Sequence, residues 1–396
     1  IGYVAQTKSF LIAWTEVVTS PLDDTDVVGR VLLSDGTVGT TSRVIAGGPG
    51  RQDVQDVAGD PSGLDNEALV LFTDKTNGAD LWMRQVQLNP SSISPFSARV
   101  NISNGMSTWN DDSGRIGGPG PNNRYMEVWN RRGFASTGDR AIYGAVVDRN
   151  LGVLQASFEL QPPDRNRNAP DVEGDGEVFL LAYERGRTPK NILTDYDIGL
   201  TSLLWSSATG RIETVVDDTV IFPNRMGIPN PPRKPSAPAV GYLGSNSIVV
   251  YRADPSQFSD EIQLRYLTVD PLTCLPCEAE NGVIEADPSF EQRTPSVGTR
   301  AASLDGSEQA LVVWRREPAG GGQAPGQLRG RIFESENGLL ETLGGGCGGR
   351  FALLLGLGWA GFVVRAVRGA RVGGGEVGGA GGGVGVERSA AAGYME

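Results

Sequence analysis

Short apolar runs that end in an aromatic residue recur along the chain and determine its predicted architecture. Each run has five residues, and successive aromatic ends lie 54 to 68 residues apart. The runs are residues 10–14 (FLIAW), 68–72 (ALVLF), 125–129 (YMEVW), 179–183 (FLLAY), 247–251 (SIVVY) and 310–314 (ALVVW). Apolar runs of this length, bounded by polar and glycine-containing segments, are typical of buried β-strands.

A second strand follows each apolar run after a polar loop, and it alternates apolar and polar residues. Residues 26–36 (DVVGRVLLSDG) and 80–89 (DLWMRQVQLN) are two examples. A short segment before each run and another after the next glycine turn complete four strands per unit. No helical periodicity occurs within the unit. Because a single four-stranded sheet cannot bury both faces alone, the repeat predicts an all-β fold, a β-propeller of about six blades over residues 1–343.

The repeat unit resembles that of large secreted bacterial β-propeller proteins, which are frequent in myxobacteria and planctomycetes. The shared pattern is P-x-V-A, an apolar run such as FLIAW, then D-I-x-G-R-x-L and a glycine turn. This resemblance implies an extracellular or cell-surface location and says little about activity. The pattern departs from the repeat in units 3 and 6, where Arg140 and Gln327 stand at the aspartate position.

The composition changes at residue 344, where strand patterning gives way to a glycine-rich tail over residues 344–396. Three interpretations remain open: a disordered low-complexity segment, a shifted reading frame, or a surface-sorting tail. The third rests on Cys347, a following apolar run and arginines, which resemble the sorting signal of myxobacterial surface proteins. The apolar run is shorter than a membrane-spanning helix requires.

The charge and the missing histidines exclude several classes of function. The net charge is −12 and the sequence pI is about 4.7, so we expect no binding of nucleic acids and no docking on anionic membranes. The chain contains no histidine, which excludes Ser-His-Asp and Cys-His nucleophile systems in their usual form. A metal site would therefore rely on oxygen ligands, which favour Ca²⁺ or Mg²⁺.

The best local metal motif is the segment 171–176 (DVEGDG), with carboxylates at Asp171, Glu173 and Asp175. Its alternating acids resemble the calcium hairpin of integrin-type propeller repeats. The ninth position of that pattern is Phe179 instead of an aspartate, so the predicted cage is incomplete. The alternative is an ordinary Asp-Gly hairpin turn.

A second candidate is a ring of acidic residues at the start of the alternating strand: Asp26, Asp80, Asp197 and Glu261. Recurrence at one position of the repeat predicts that they lie on one rim of the disc, where they could bind a cation or ligand. The alternative is that each carboxylate caps its own loop by accepting backbone N–H bonds.

Two further motifs leave their chemistry open. Glu16, Asp74 and Glu184 follow apolar runs and offer a carboxylate pair for glycoside hydrolysis, which needs a defined separation between two such groups. Cys274 and Cys277 form a C-x-x-C motif without the context of a zinc or thioredoxin site, so we expect a local disulfide or two free thiols.

These observations favour a non-enzymatic, monomeric, extracellular or cell-surface propeller that binds a protein or a glycan through loops on one face. The first alternative is a polysaccharide hydrolase of the sialidase or glycosidase kind with paired carboxylates. The second is a structural component of a surface layer. No cofactor other than Ca²⁺ is predicted.

Overall fold

The computed structural model confirms the predicted all-β architecture. It describes residues 1–19, 24–33, 37–60, 65–76, 79–103, 109–118, 123–133, 140–165, 167–186, 196–221, 233–243, 246–254, 263–285, 290–300, 308–318, 327–335, 351–352, 362–364 and 386–388. In this part of the chain, six antiparallel sheets follow one another along the sequence. We number these sheets as blades 1 to 6.

The strands are numbered in chain order. Blade 1 contains β1 (Gly2–Val4), β2 (Ser9–Thr19), β3 (Asp24–Leu33) and β4 (Arg43–Ala46). Blade 2 contains β5 (Gln52–Gly59), β6 (Glu67–Asp74), β7 (Asp80–Asn89), β8 (Ser92–Pro95) and β9 (Val100–Asn101). Blade 3 contains β10 (Trp109–Gly117), β11 (Arg124–Gly133), β12 (Ala141–Asp148) and β13 (Val153–Gln161), and a single 3-10 turn, Pro163–Arg165, follows it.

The second half of the ring repeats this plan. Blade 4 contains β14 (Arg167–Gly174), β15 (Val178–Gly186), β16 (Tyr196–Ser206) and β17 (Arg211–Ile221). Blade 5 contains β18 (Arg233–Leu243), β19 (Asn246–Asp254), β20 (Gln263–Val269) and β21 (Pro276–Glu285). Blade 6 contains β22 (Phe290–Arg300), β23 (Glu308–Pro318), β24 (Gln327–Ser335) and β25 (Phe351–Ala352).

The first strand of each blade lies at the centre of the disc, and contacts between these inner strands close the ring. β5, β10, β14, β18 and β22 each contact the inner strand of the blade before, and β22 also contacts β1. No described blade combines strands from both ends of the chain, so the ring closes by packing between blades 6 and 1. In the described part of the chain, six blades form the ring.

The predicted apolar runs form the second strand of each blade, and those of blades 2 to 5 are buried on both sides. Each hydrophobic cluster joins two consecutive blades, and its aromatic residue comes from the end of the later blade's run. Phe72 packs between blades 1 and 2, Trp129 between 2 and 3, Tyr183 between 3 and 4, Tyr251 between 4 and 5, and Trp314 between 5 and 6. Trp14, in the first blade, is half-buried. The stacking of blades around the axis thus explains why apolar and polar residues do not alternate along these strands.

The fourth strand of blade 6 lies within the glycine-rich segment 344–396. Phe351 and Ala352 pair with Ser335 and Glu334, so the outermost strand comes from the glycine-rich tail. Two further tail segments, β26 (Phe362–Val364) and β27 (Val386–Arg388), pair with each other, and β26 contacts β24. The remaining tail residues, including Cys347, lie outside the described residues.

Candidate functional site

The strand order gives the disc two different ends. The hairpin face carries the turns between first and second strands and between third and fourth strands, such as residues 148–153. The connection face carries the starts of the inner strands and the ends of the second strands, such as Arg167 and Arg185. Polar side chains of neighbouring blades meet at the connection face.

The acidic ring predicted from the sequence is only partly assembled. Asp26, Asp80 and Asp197 occupy the same register position of the third strand in blades 1, 2 and 4, at the connection face. Glu261 lies outside the described residues, and Gln263 stands at the equivalent register position of blade 5. In blade 3 this position belongs to Ala141 rather than Arg140, which precedes it.

Local contacts hold the described acids of this ring. Asn101 Nδ2 donates a hydrogen bond to Asp80 Oδ2 (3.0 Å), and burial raises the pKa of Asp80. Asp197 is buried opposite Arg185, and Asp26 is half-buried beside Gly47. No group of three or more acidic or cysteine side chains in the described ranges is arranged to hold a metal ion.

Most arginines at the connection face are neutralised by a carboxylate. Arg131 Nε and Nη2 donate to Asp111 at 2.8 and 2.9 Å, and its guanidinium lies over the Tyr143 ring at 4.4 Å. Arg185 Nε donates to both oxygens of Asp218, which also accepts a hydrogen bond from Arg167 (3.2 Å). Arg99 forms a longer pair with Asp74 (3.4 Å).

Two arginines of blade 3 differ from this pattern. Arg132, near the end of β11, and Arg140, directly before β12, are both half-buried, and neither has a carboxylate partner among the residues that the structure describes. Arg140 donates a hydrogen bond to the side-chain oxygen of Asn168 in blade 4. By strand alternation, Arg132 shares a strand face with Asn130, which also contacts Asn168.

A chain of side-chain hydrogen bonds supports these arginines across three blades. Asn130 Nδ2 donates to Asn168 Oδ1 (2.9 Å), and Asn168 Nδ2 donates to Glu184 Oε2 (3.1 Å). The other Glu184 oxygen accepts the backbone N–H of Ala237 in blade 5 (2.8 Å). Asn130 is 1% exposed, and its Oδ1 atom has no protein partner. The chain fixes Asn168 and leaves this buried acceptor open to water or a ligand.

The suggested glycosidase carboxylates lie on three different blades, and two of them are held by other groups. Glu16 is exposed in blade 1, Asp74 pairs with Arg99 in blade 2, and both oxygens of Glu184 accept hydrogen bonds in blade 4.

In the predicted calcium motif, Asp171 and Glu173 lie on the inner strand β14 and Asp175 lies in the turn that follows it. The three carboxylates do not point to one common centre. Asp171 Oδ2 accepts the N–H of Val240 in blade 5 (2.7 Å), whereas Glu173 Oε1 accepts the N–H of Gly118 in blade 3 (2.7 Å). Asp175 Oδ1 caps the hairpin turn by accepting the N–H of Val178 (2.7 Å). Because these carboxylates reach opposite neighbouring blades and a turn, they do not surround one ion.

Carboxylates near the axis instead join inner strands. Asp56 stands at the position of Asp171 in blade 2, and its Oδ2 accepts the N–H of Ile116 in blade 3 (3.2 Å). Arg115 stands there in blade 3, with its Nε 3.7 Å from Asp171 Oδ1. Burial raises the pKa of Asp171 to about 7, against the opposing effect of Arg115, and raises the pKa of Glu173 to about 8.

The predicted disulfide is not formed. Cys274 is a free, fully buried thiol that packs in the cluster between blades 4 and 5, and burial raises its pKa to about 12. The side chain of Cys277 lies outside the described residues. The C-x-x-C spacing thus reflects a tight turn at the hairpin face, where the Cys274 N–H bonds to the Asp270 carbonyl (2.9 Å).

We expect Cys274 to resist alkylation in the native protein, because its thiol is both buried and protonated at neutral pH. Peptide mass spectrometry after treatment with iodoacetamide should find Cys274 modified in urea and unmodified without it. Recovery of a Cys274–Cys277 cross-linked peptide from non-reduced protein would contradict this assignment.

Sequence reasoning missed Asn130, Asn168, Arg132 and the pairing of Asp56 with the next blade. These are isolated polar residues within strand patterns, and the contacts Asn130–Asn168 and Asp56–Ile116 join residues 38 and 60 positions apart. Only the register of the repeat offered a signal, since Asp56 and Asp171 occupy equivalent positions.

The described residues contain no helix of the length and apolar character needed to cross a membrane. No protein family matches the sequence, and no curated protein matches it.

Several solved structures share the overall fold at low identity. A subtype N11 neuraminidase-like protein of influenza A/flat-faced bat/Peru/033/2010 is 9% identical, with 85% of this chain and 86% of that chain covered and a TM-score of 0.48. The Trypanosoma rangeli sialidase is 8% identical, with coverage of 80% and 52% and a TM-score of 0.46. The β-propeller domain of the Pyrococcus furiosus Trilobed protease is 10% identical, with coverage of 85% and 80% and a TM-score of 0.41. The strand order and the contacts between the inner strands identify the described part of the chain as a β-propeller of six blades.

Proposed function

We propose that this propeller is a non-enzymatic, extracellular or cell-surface binding module that recognises an acidic glycan at the connection face, between blades 3 and 4. The observation that carries the proposal is the Arg140 guanidinium, which is hydrogen-bonded to Asn168 and has no carboxylate partner among the described residues. A carboxylate or sulfate of the glycan would supply the partner that Asp111 and Asp218 supply to the other arginines.

The neighbourhood of Arg140 suits a hydroxyl-rich acidic ligand. Arg132 provides a second guanidinium without a carboxylate partner in the described ranges, and Asn130 and Asn168 provide amide groups that are already positioned by hydrogen bonds. Preorganised polar groups reduce the entropy lost on binding. In a chain with a net charge of −12, this local cationic site would distinguish an acidic ligand from a neutral one.

Binding is tested with an array of uronic-acid-containing, sulfated, sialylated and neutral oligosaccharides, followed by calorimetric titration of the tightest ligand. We expect acidic oligosaccharides to bind, with an affinity that falls as salt is raised. Arg140→Ala should lower the affinity at least about tenfold, because it removes a charge-assisted hydrogen bond.

The matched control is Arg211→Ala, which removes an exposed arginine at the hairpin face. It should leave the affinity within about twofold of the wild type, since charges this far from a site are screened. Binding of neutral oligosaccharides alone, or equal losses in both variants, would reject the proposed site.

Hydrolysis of a polysaccharide is the second candidate, and one observation favours it. Burial raises the pKa of Asp171 to about 7 and that of Glu173 to about 8, so Glu173 is mostly protonated near neutral pH, which is the state of a general acid. Their hydrogen bonds to opposite blades support a role in the ring instead. Incubating the bound oligosaccharide with protein and assaying new reducing ends separates the two candidates, because a binding module returns the ligand intact.

A further inference from the structure

Glu127 is an acidic residue in the middle of a fully buried strand. It lies on β11, opposite Ile116 of β10 and Ala145 of β12, and its exposure is 0%. Among the residues that the structure describes, neither carboxyl oxygen has a side-chain or neighbouring-strand hydrogen-bond partner, and the indole nitrogen of Trp129, two residues further along the strand, also has none. Buried acids are normally paired or hydrogen-bonded, so this site needs an explanation.

The surroundings of Glu127 are apolar on the side that faces blade 2. The residues packed there are Leu69 and Leu71 of β6 and Leu81 and Met83 of β7. β14 packs against the opposite face of β11, in the cluster that contains Met126 and Val128. An ionised carboxylate in this position would lie among apolar side chains, where the loss of water outweighs the hydrogen bond from its own backbone N–H.

The titratable groups on the elements around Glu127 form no bond to it among the described residues. They are Tyr125 on its own strand, Tyr143 on β12, the Asp111–Arg131 pair, Asp56 on β5, and Asp60 and Glu67 at the hairpin end of blade 2. Asp60, Glu67 and Glu127 are all close enough to Tyr125 to affect its ionisation. Burial, rather than a neighbouring charge, disfavours ionisation of Glu127.

We propose that Glu127 is a proton-operated switch in the interface between blades 2 and 3. In its neutral form the carboxyl group packs with the leucines, and the interface is closed. Loss of its proton places an unpaired charge among apolar side chains, so the interface must open to admit water. The proposal is independent of the glycan site.

The pH dependence of this switch follows from the difference between the pKa values of Glu127 in the folded and unfolded protein. Burial raises the pKa of Glu127 well above its ordinary value of 4.5. The neutral Glu127 carboxyl group therefore stabilises the closed interface fully at a pH below the pKa that Glu127 has in the unfolded chain. This stabilisation is lost as the pH rises through the pKa that Glu127 has in the folded protein. Between those two values, the open form gains up to about tenfold in population per pH unit.

The test is hydrogen exchange measured by mass spectrometry on the full chain at pH 5, 6, 7 and 8. Each observed exchange rate is divided by the rate of an unprotected amide at the same pH, which gives the opening constant. In the wild type, the opening constant of residues 67–74 and 124–133 should rise with pH, by up to about tenfold per unit. In Glu127→Gln the rise of the same constant with pH should be clearly smaller, because the amide is nearly isosteric and does not titrate.

Two controls isolate the effect. Glu213→Gln changes an exposed glutamate on β17 and should retain the wild-type slope. The double variant Asp171→Asn with Glu173→Gln should also retain a rise of the opening constant with pH in residues 67–74 and 124–133. This result would distinguish the effect of Glu127 from that of the carboxyl groups near the axis. If Glu127→Gln does not fold, Glu127→Met serves for the same comparison. A flat wild-type profile, or an equally steep slope in the Glu127 variant, would overturn the proposal.

Discussion

Gly59→Ala should unfold the protein or lower its free energy of unfolding by more than about 3 kcal/mol, as expected when a core is overpacked against backbone. Gly59 ends β5, and a Cβ added there would collide with the carbonyl group of Tyr3 on β1. The opposing glycine is equally constrained, since a Cβ on Gly2 would lie 2.6 Å from the Gly59 nitrogen. The inner strands of blades 1 and 2 therefore meet backbone to backbone.

Urea denaturation followed by tryptophan fluorescence measures this effect. The control is Gly298→Ala on β22, because a Cβ at Gly298 meets no heavy atom within 4 Å. The free energy of unfolding of this variant should differ from that of the wild type by no more than about 1 kcal/mol, which is the range of an unstrained Gly-to-Ala change. Equal stability of the two variants would show that blades 1 and 2 do not approach as described.

Raising the pH from 5 to 8 should destabilise the protein, with Asp171 and Glu173 as major contributors. Their ordinary pKa values, 3.8 and 4.5, rise to about 7 and about 8 in the folded state. Both groups therefore bind protons more tightly when folded, and the resulting stability is lost as the pH rises through these values. The loss is on the order of 2–4 kcal/mol per carboxyl group, after allowance for partial solvent access.

Asp171→Asn combined with Glu173→Gln removes both titrations and tests this assignment. Urea unfolding at pH 5, 6, 7 and 8 should show a steep decline for the wild type and a shallower one for the variant, with a remaining slope from Glu127. The contrary result is a wild type whose free energy of unfolding increases between pH 5 and 8, which would mean that the axial carboxyls are ionised and favourably paired.

The blade architecture was predictable because it rests on a pattern that repeats. A strand buried between two sheets must be apolar on both sides, so runs such as residues 68–72 identify the second strand of each blade directly. Phe72 and Trp129 were expected in interfaces between blades for the same reason, and both are fully buried there. The last strand of blade 6 escaped prediction because Phe351 lies within a glycine-rich segment without strand patterning.

The site was less predictable, because spacing in sequence does not reveal direction in space. Asp171, Glu173 and Asp175 have the spacing of a calcium loop, yet the first two lie on a strand and bond to different blades. Conversely, Asn130 and Arg140 reach Asn168 only because blades 3 and 4 are adjacent in the ring. Such contacts depend on the radial geometry, which the repeat implies but does not specify residue by residue.

The most direct test of the proposed binding site is hydrogen exchange with and without the tightest acidic oligosaccharide from the array. We expect added ligand to slow exchange in residues 130–133, 140–142 and 167–169, where Arg132, Arg140 and Asn168 lie. Exchange in the hairpin-face turns at residues 148–152 and 206–210 should remain unchanged. Protection confined to those turns, or none anywhere at saturating ligand, would contradict a glycan site between blades 3 and 4.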